Sequence, residues 1–368
     1  MYFYNSLLLI SNILTLTVYT KSQDPNSVGI SACCFFGGRS NSCGLSDVQV
    51  TDTPATCTSI CYDGVKVDSK YQISVPCMCK EDNTTLAYLD NILKMKGSRR
   101  LFLYYGHDTI QEWAEMLACE SSNGGTNSLE EMKSLKTFLD EHQGIGGLIL
   151  TGLEYDYDSV EFPGYSENLK KYLEVMKKNF PDLIIALDLT GRFLIDQYTY
   201  PKIPWLNINV IDSLTNFYVV SLMDLNDCTS EDFINGIAPM NASYTDYTLD
   251  KLKDVLKKAA IPKEKTHFKF RIHPASNPSD SLTYCDLVTE KVCLQPQETC
   301  IWCVESLASF NEKGNFARDY GAGFICSYID FNDPDNCCKC EKPYSGFNAI
   351  LDGFNSITTK PCDLLNRN

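Results

Sequence analysis

The sequence is poor in the residues on which several kinds of site depend. Its 368 residues include only four histidines and three tryptophans. Lysine and arginine, 32 in total, are outnumbered by 47 aspartates and glutamates, which gives a formal net charge of −15. Nucleic acids and anionic membranes attract basic surfaces, so this charge argues against either as a partner. Hydrophobic residues make up 44% and charged residues 21%, a composition typical of a folded chain.

Long apolar runs are also scarce. After residue 22, no stretch reaches the roughly 18 apolar residues that a membrane-spanning helix needs. Residues 1–22 contain a shorter apolar stretch, a single base (Lys21) and no acid, which predicts a secretory signal peptide cleaved between Val18 and Ser22. We therefore expect a secreted, extracellular protein without a membrane span, whose folded domain covers residues 30–362.

Cysteine, in contrast, is abundant. All 18 cysteines follow residue 22, in an early group within residues 33–119 and a late group within residues 285–362, with Cys228 between the two groups. A high, even number of cysteines in a secreted chain predicts a set of structural disulfides, up to nine. The sequence does not give their pairing.

Two cysteine clusters have spacings that also occur in zinc sites. They are Cys300-x-x-Cys303 and the run of residues 337–340. An oxidising compartment and the lack of a neighbouring histidine favour disulfides at both, so we expect neither a metal nor a cofactor. Two sequons, beginning at Asn83 and Asn241, predict N-glycosylation and agree with secretion.

From about residue 80 onward, short apolar runs alternate with amphipathic segments. Continuous apolar runs are typical of strands buried on both faces, and they occur at residues 101–105, 147–153, 183–187, 217–223 and 324–326. Helical stripes lie between them, at residues 132–139, 169–176, 249–259 and 347–354. Ser128 and Glu131 have the spacing of a capping box, which predicts that a helix begins there. The alternation predicts an α/β fold, a (β/α)8 TIM barrel.

An acidic stretch follows the strand predicted at residues 147–153. Glu154, Asp156 and Asp158 alternate there with tyrosines, at the carboxyl end of a barrel strand, where active sites of this fold are built. Clustered carboxylates raise one another's pKa and can provide a general acid. A solvated acidic loop is the alternative, and the net charge favours it. His107 also follows a strand, and we interpret it as a hydrogen-bonded structural residue.

Several segments together resemble one known family. Strand-like and loop-like matches occur in the family's order at residues 32–36, 56–58, 103–106, 144–148, 220–223, 236–240 and 320–324. The chain thus resembles glycoside hydrolase family 18, the chitinases and chitinase-like proteins. The resemblance implies a (β/α)8 barrel and a chitin-like ligand. In this family the substrate's own acetamido oxygen attacks while a glutamate protonates the leaving oxygen. The loop of residues 274–299 is too short for the full chitinase insertion domain.

The family's catalytic strand motif, Asp-Gly-x-Asp-x-Asp-x-Glu, is not intact in this sequence. With Gly147 as the motif's glycine, Thr151 stands at the last aspartate position and Leu153 at the catalytic glutamate. We favour this register because it needs no insertion and keeps the apolar run inside the barrel wall. It implies that the catalytic acid is lost.

A second register starts five residues later. With Gly152 as the motif's glycine, Glu154 and Asp156 stand at the aspartate positions and Asp158 at the acid. Asp158 is one methylene shorter than glutamate, and a misplacement of about 1 Å can lower a rate about 100-fold.

Two further departures are independent of the register. The family's Met-x-Tyr-Asp on the sixth barrel strand becomes Met223 to Asn226, so that Leu225 and Asn226 replace the tyrosine and aspartate that hold the cyclic intermediate. The tryptophan that forms the floor of the sugar site falls on Ser327, with Tyr328 beside it.

These departures favour a secreted chitinase-like protein that does not hydrolyse its ligand. The expected partner is a glycan, either chitin or another N-acetylglucosamine polymer, or else an extracellular protein. The alternative is an active glycosidase with a rearranged acidic site at Glu154, Asp156 or Asp158. The ligand-binding candidates are Tyr105, Glu154, Asp156, Asp158, Met223, Asp224 and Tyr328.

Overall fold

The computed structural model describes eleven segments of the chain. They are residues 26–36, 53–75, 84–107, 109–122, 126–154, 164–199, 206–229, 236–277, 301–303, 305–329 and 332–362. The predicted signal peptide, residues 1–22, lies outside the described residues. So do Asn83, Asp156, Asp158 and most of the 274–299 loop, and the predictions made for them stay predictions.

The described segments alternate between strands and helices. The strands are β1 (Ser31–Phe36), β2 (Ser59–Val67), β3 (Ile73–Ser74), β4 (Arg100–His107), β5 (Ile145–Leu150), β6 (Ile184–Thr190), β7 (Phe217–Ser221), β8 (Thr266–Arg271), β9 (Ala275–Asn277), β10 (Ile301–Cys303) and β11 (Gly323–Ser327). The helices are α1 (Thr84–Met95), α2 (Ile110–Ser122), α3 (Thr126–Glu141), α4 (Tyr165–Asn179), α5 (Gly191–Thr199), α6 (Ile208–Ile211), α7 (Leu249–Ala259), α8 (Leu307–Tyr320) and α9 (Ser345–Phe354). Within the described ranges, no helix combines the length and the apolar character that crossing a membrane requires.

Eight parallel strands close into a barrel. Their order is β1, β2, β4, β5, β6, β7, β8 and β11, and the last strand pairs with the first, Cys326 lying beside Cys33. Strand β3 adds an antiparallel edge to β2, while β9 and β10 form a separate antiparallel pair. The predicted (β/α)8 TIM barrel is confirmed, and each of the five predicted apolar runs overlaps a barrel strand.

Side chains alternate between the inside of the barrel and its helical shell. In β4, Phe102 and Tyr104 belong to the inner apolar cluster, whereas Leu103 and Tyr105 belong to the larger outer one. Both clusters are almost fully buried, and this explains why the strands are apolar along their whole length. Charged residues are therefore unexpected on the inner face and are informative where they occur.

The helix of residues 132–139 is confirmed, but its predicted capping box is wrong. Helix α3 begins at Thr126, before Ser128, so Glu131 lies inside the helix and not at its first turn. The Glu131 side chain turns into the outer core, where it accepts hydrogen bonds from the Tyr105 and Tyr172 hydroxyls. Pairing a buried carboxylate in this way outweighs what a cap at the helix end would contribute.

The structure contains disulfides, as the cysteine pattern predicted. The described bonds join Cys33 to Cys57, Cys228 to Cys303 and Cys340 to Cys362. Not every clustered cysteine pairs, however. Cys338, which we expected to be bridged with its neighbours, remains a buried thiol while Cys337 and Cys340 are bonded. Its side chain packs in the outer core, so it fills space there as a small apolar residue does.

Candidate binding site at the barrel mouth

The chain reverses its alternation at the end of the fifth strand. Strand β5 ends at Leu150, and Thr151 continues the ladder by donating its N–H to the Tyr105 carbonyl. Gly152 then takes a left-handed backbone with φ of +76°, which few residues other than glycine adopt. This turn shifts the order of inward and outward side chains by one residue.

The shift moves Leu153 away from the acid's position, to which the favoured register assigned it, and brings Glu154, a predicted ligand candidate, to the mouth. Leu153 is fully buried in the outer core, and its carbonyl accepts a hydrogen bond from the Tyr165 hydroxyl, 2.9 Å away. It does not face the barrel centre, as the favoured register requires of a residue in the acid's place. Glu154 lies at the mouth instead, where its carboxylate accepts a hydrogen bond from the Thr190 N–H at the end of β6.

Burial changes the protonation of Glu154. Removal from water is the main cause that raises the pKa of this carboxyl to about 8. The hydrogen bonds from Thr190 act in the opposite direction, and the nearby Asp188 adds a smaller upward effect. Glu154 is therefore mostly protonated at neutral pH. A protonated carboxyl at the carboxyl end of a barrel strand has the properties of a general acid.

A buried lysine, surrounded by two carboxylates and a tyrosine ring, lies at the base of the mouth. Lys269 on β8 is nearly buried, and its ammonium nitrogen lies 3.8 Å from the Asp63 carboxylate on β2 and 3.9 Å from that of Asp188 on β6. The same nitrogen lies 3.8 Å from the centre of the Tyr104 ring. We call these four residues the barrel floor. They come from four different strands.

The charges of the barrel floor depend on one another. Burial alone would lower the pKa of Lys269, but the carboxylates of Asp188 and Asp63 overcome this and hold it above its ordinary value. Burial raises the pKa of Asp188 to about 6, against the lowering effect of Lys269. At neutral pH the floor therefore holds one cation between two carboxylates.

The two positions after the sixth barrel strand serve the fold. Leu225 is 1% exposed and packs in the outer core next to Gly191. The Asn226 amide donates to the carbonyls of Ile237 at 3.0 Å and Tyr247 at 2.8 Å, and its oxygen accepts from the Thr245 hydroxyl at 2.7 Å. Both side chains are thus engaged in holding the loop that follows β7.

Replacing Asn226 with alanine should lower the free energy of unfolding by about 2 kcal/mol, because two carbonyls and one hydroxyl each lose a hydrogen bond. Urea unfolding at pH 7 measures this change. Asp227→Ala is the matched control, since its side chain is exposed and adjacent, and it should change stability by less than about 0.5 kcal/mol. Equal effects of the two variants would contradict a structural role for Asn226.

Residues of the last barrel strand and its neighbours form the opposite rim. Ser327 is buried at the end of β11, and Tyr328 follows it with φ of +55°. The Tyr328 ring lies 4.8 Å from the ring of His273, whose pKa burial holds well below its usual value. Arg271 pairs at 3.3 Å with Asp224, the exposed acid after β7. These contacts bring two of the predicted ligand candidates, Asp224 and Tyr328, to the mouth, and Met223 is buried beside them.

Tyr105, another predicted candidate, does not reach the mouth. It lies on the outward side of β4, where its hydroxyl donates to Glu131. His107 also contacts this carboxylate, 3.2 Å from its Nε2 atom, as expected of a structural histidine. The nearby Trp113 donates its indole N–H to the Thr151 carbonyl at 2.9 Å. Alternation along β4 gives the inward position to Tyr104 instead.

The sequence analysis missed all four residues of the barrel floor. Asp63, Tyr104, Asp188 and Lys269 were not among the predicted site residues. A signal was present for Asp188, the single charged residue of β6, and Lys269 is a charged residue between two phenylalanines in β8. Among the described residues, no group of three or more metal-ligating side chains is arranged to hold a metal ion.

Comparisons with known proteins agree on the fold. The chain matches a Group IV chitinase from Ostrinia furnacalis solved with allosamidin, with a TM-score of 0.69 at 13% identity, covering 90% of this chain and 100% of the other. It matches human YKL-39, described as a pseudo-chitinase with retained chitooligosaccharide binding properties, with a TM-score of 0.68 at 15% identity, covering 89% and 99%. A family GH18 chitinase from Cycas revoluta matches with a TM-score of 0.62 at 13% identity, covering 89% and 100%.

Sequence comparisons alone find nothing. No protein-family model matches this chain, and no curated protein does. The likeness is therefore one of structure: the chain has the fold of the glycoside hydrolase family 18 chitinases and chitinase-like proteins, as the sequence resemblance implied.

Proposed function

We propose that this protein is a secreted chitinase-like protein that binds an N-acetylglucosamine oligosaccharide at the barrel mouth without hydrolysing it. Two lines of reasoning support binding. The fold is shared with chitinases and with a pseudo-chitinase that retains chitooligosaccharide binding. The mouth also offers carboxyl, hydroxyl and amino groups from several strands, which is the arrangement from which barrel sites are built.

The main support for the absence of hydrolysis comes from the contacts of Leu225 and Asn226. In the family, a tyrosine and an aspartate at these positions hold the cyclic intermediate. Here Leu225 packs into the outer core and the Asn226 amide is bound to the carbonyls of Ile237 and Tyr247. Neither side chain is available to a bound sugar. Without these groups, the charge that develops on the acetamido group lacks its fixed partners.

Secretion has independent support. The disulfides Cys33–Cys57, Cys228–Cys303 and Cys340–Cys362 require an oxidising compartment to form and persist. Asn241, the first residue of the second sequon, is exposed and thus open to glycosylation. An extracellular protein is the alternative partner, and a negative result with glycans would favour it.

Hydrolysis is the second candidate function, and one observation favours it. Glu154 stands at the mouth with a pKa of about 8, so it holds a proton at neutral pH that it can donate to a leaving oxygen. In this case the acid lies one residue after the position that the favoured register assigns, because Gly152 shifts the alternation.

Calorimetric titration with the N-acetylglucosamine pentamer tests binding. Cellopentaose, which has the same linkage but lacks acetamido groups, is the control ligand. Under the proposal the protein binds the first pentamer with micromolar affinity and the second at least about ten times more weakly, since a missing group costs about 1.4 kcal/mol or more.

Fluorogenic chitobioside and chitotrioside, assayed between pH 4 and pH 9, test hydrolysis. Under the proposal there is no turnover above the level of a Glu154→Gln variant, although both proteins bind the pentamer. Turnover that disappears in Glu154→Gln would refute the non-catalytic proposal and establish the second candidate. Absence of binding to either pentamer would leave a protein partner as the remaining function.

A further inference from the structure

Three polar atoms are buried at the inner end of the mouth without a hydrogen-bond partner. They are the Tyr104 hydroxyl, the Oδ1 atom of Asp188 and the Ser327 hydroxyl, and none finds a partner among the residues that the structure describes. Tyr104 is 2% exposed and Ser327 is fully buried. Burying such groups unpaired costs free energy, about 1–3 kcal/mol each, so these atoms indicate a place for a ligand's polar groups.

These atoms surround the barrel floor. Tyr104 and Asp188 belong to it, and Ser327 extends inward from β11, the neighbour of the strand that holds Lys269. The Oδ2 atom of Asp188 lies 3.9 Å from the Lys269 nitrogen and is the oxygen that pairs with it. The other oxygen, Oδ1, has no hydrogen-bond partner among the described residues. The carboxylate of Asp63 also lies beyond direct hydrogen-bond distance from Lys269, at 3.8 Å.

The charges do not balance at neutral pH. Asp63 and Asp188 contribute two negative charges and Lys269 one positive charge, while Glu154 is mostly protonated because its pKa is about 8. The remaining negative charge lies in a largely dry layer, where an unpaired charge is costly. An added cation that donates hydrogen bonds would remove both the excess charge and the unpaired oxygen.

Since this inference rests on the proposed binding of a chitin-like oligosaccharide, it concerns which sugar unit occupies the floor. We infer that the barrel floor binds the protonated amine of a glucosamine unit, and hence that the ligand is a partly deacetylated chitin. The ammonium donates to Asp188 Oδ1 and to Asp63, and it lies near the Tyr104 hydroxyl. An acetamido group fits the floor less well, because its methyl group would lie against two carboxylates and cannot pair with them.

The mouth leaves access to this position. Side-chain exposure is 32% for Asp63 and 13% for Asp188, so Asp63 is open towards solvent, while Asp188 Oδ1, Lys269 and Tyr104 lie deeper. A ligand amine at the carboxylates would therefore stay on the solvent side of Lys269. The two cations would be separated by the carboxylates that they share, as in other alternating ionic layers.

Calorimetric titration at pH 7 and 150 mM salt, with the N-acetylglucosamine pentamer and with the same pentamer carrying one deacetylated unit, tests this inference. Salt at this concentration screens the general attraction of the acidic surface for a cationic ligand. We expect the deacetylated pentamer to bind about 10-fold more tightly. We expect Asp188→Asn to reduce the ratio of the two affinities to about 2, because the unpaired carboxylate oxygen and its negative charge are lost.

Asp254→Asn is the matched control for charge. Asp254 is exposed on α7 and pairs with Lys257 at 3.7 Å, so its replacement changes the net charge equally and should leave the ratio at about 10. If Asp188→Asn does not fold, Tyr104→Phe removes only a hydroxyl. This variant should weaken binding of the deacetylated pentamer several-fold and leave the acetylated one unchanged.

The wild-type protein offers a test without any variant. Protonation of Asp188, whose pKa is about 6, should reduce the ratio towards 1 at pH 5. Lys269 lowers the pKa of Asp188 and Asp63 raises it, and Asp188 in turn raises the pKa of the neighbouring Cys61, Tyr104 and Glu154.

Three outcomes separate the inference from the proposed function. If the acetylated pentamer binds at least as tightly as the deacetylated one, the inference is overturned while the proposed function stands. If the ratio is unaffected by Asp188→Asn, the amine binds elsewhere and the inference is also overturned. If neither pentamer binds, both fail.

Discussion

Replacing Glu131 with alanine is expected to lower the free energy of unfolding by about 3–5 kcal/mol. Glu131 is fully buried between the barrel and its helices. Its carboxylate accepts from the hydroxyls of Tyr105 and Tyr172 and contacts Nε2 of His107 at 3.2 Å. Alanine would remove the acceptor that these three buried polar groups share and would open a cavity among them.

Equilibrium unfolding in urea at pH 7 measures this loss. Glu130→Ala is a strict control, because Glu130 is the preceding residue of the same helix, is exposed and pairs only at the surface with Lys133. It should change the free energy of unfolding by less than about 0.5 kcal/mol. Tyr172→Phe removes one of the three contacts, so its loss in free energy of unfolding should lie between those of Glu130→Ala and Glu131→Ala. A Glu131→Ala variant as stable as Glu130→Ala would show that the carboxylate does not organise this core.

The same core supports the mouth, which makes the expected loss relevant to function. Trp113 lies 4.7 Å from the His107 ring and donates to the Thr151 carbonyl, directly before Gly152. Glu131 and the side chains that contact it thus position the turn that directs Glu154 towards the barrel centre. We expect destabilised Glu131 variants to bind oligosaccharide more weakly although residue 131 touches no ligand.

The sequence predicted the barrel because its strands are buried on both faces. Apolar runs such as residues 217–223 have no alternation to misread, and the amphipathic stripes between them have the helical period. Boundaries were less accurate where a side chain has a tertiary partner. Glu131 looked like a capping residue because local spacing cannot show that Tyr105 and Tyr172 approach it from other elements.

The site was harder to predict, and the reason is geometric. Assigning inward positions by counting from Gly147 assumes an unbroken alternation, and Gly152 breaks it with a positive φ. One residue of shift moves Leu153 outward and brings Glu154 to the mouth. The barrel floor depends on strands that are distant in the sequence, so the proximity of Asp63, Asp188 and Lys269 follows only from barrel closure.

Glu154 should make the protein less stable as the pH rises. Its folded-state pKa is about 8, whereas an exposed glutamate in the unfolded chain titrates near 4.5. Between these values the folded state holds a proton that the unfolded state has lost, so the free energy of unfolding decreases with increasing pH. One such group contributes a slope of at most about 1.4 kcal/mol per pH unit. Because Glu154 is only partly buried, we expect a total of about 2–4 kcal/mol between pH 5 and pH 8.

Comparing the wild-type protein with Glu154→Gln isolates this contribution from the other titrating groups. Glutamine keeps an oxygen that accepts from the Thr190 N–H but has no proton to lose. Urea unfolding at pH 5, 6, 7 and 8 should show the two proteins converging at low pH and the variant gaining about 2–4 kcal/mol at pH 8. Glu174→Gln, at an exposed position of α4, should follow the wild-type curve. Parallel curves for the wild-type protein and Glu154→Gln would mean that Glu154 is ionised at neutral pH, and would remove the basis for Glu154 as a proton donor and for treating it as uncharged beside the barrel floor.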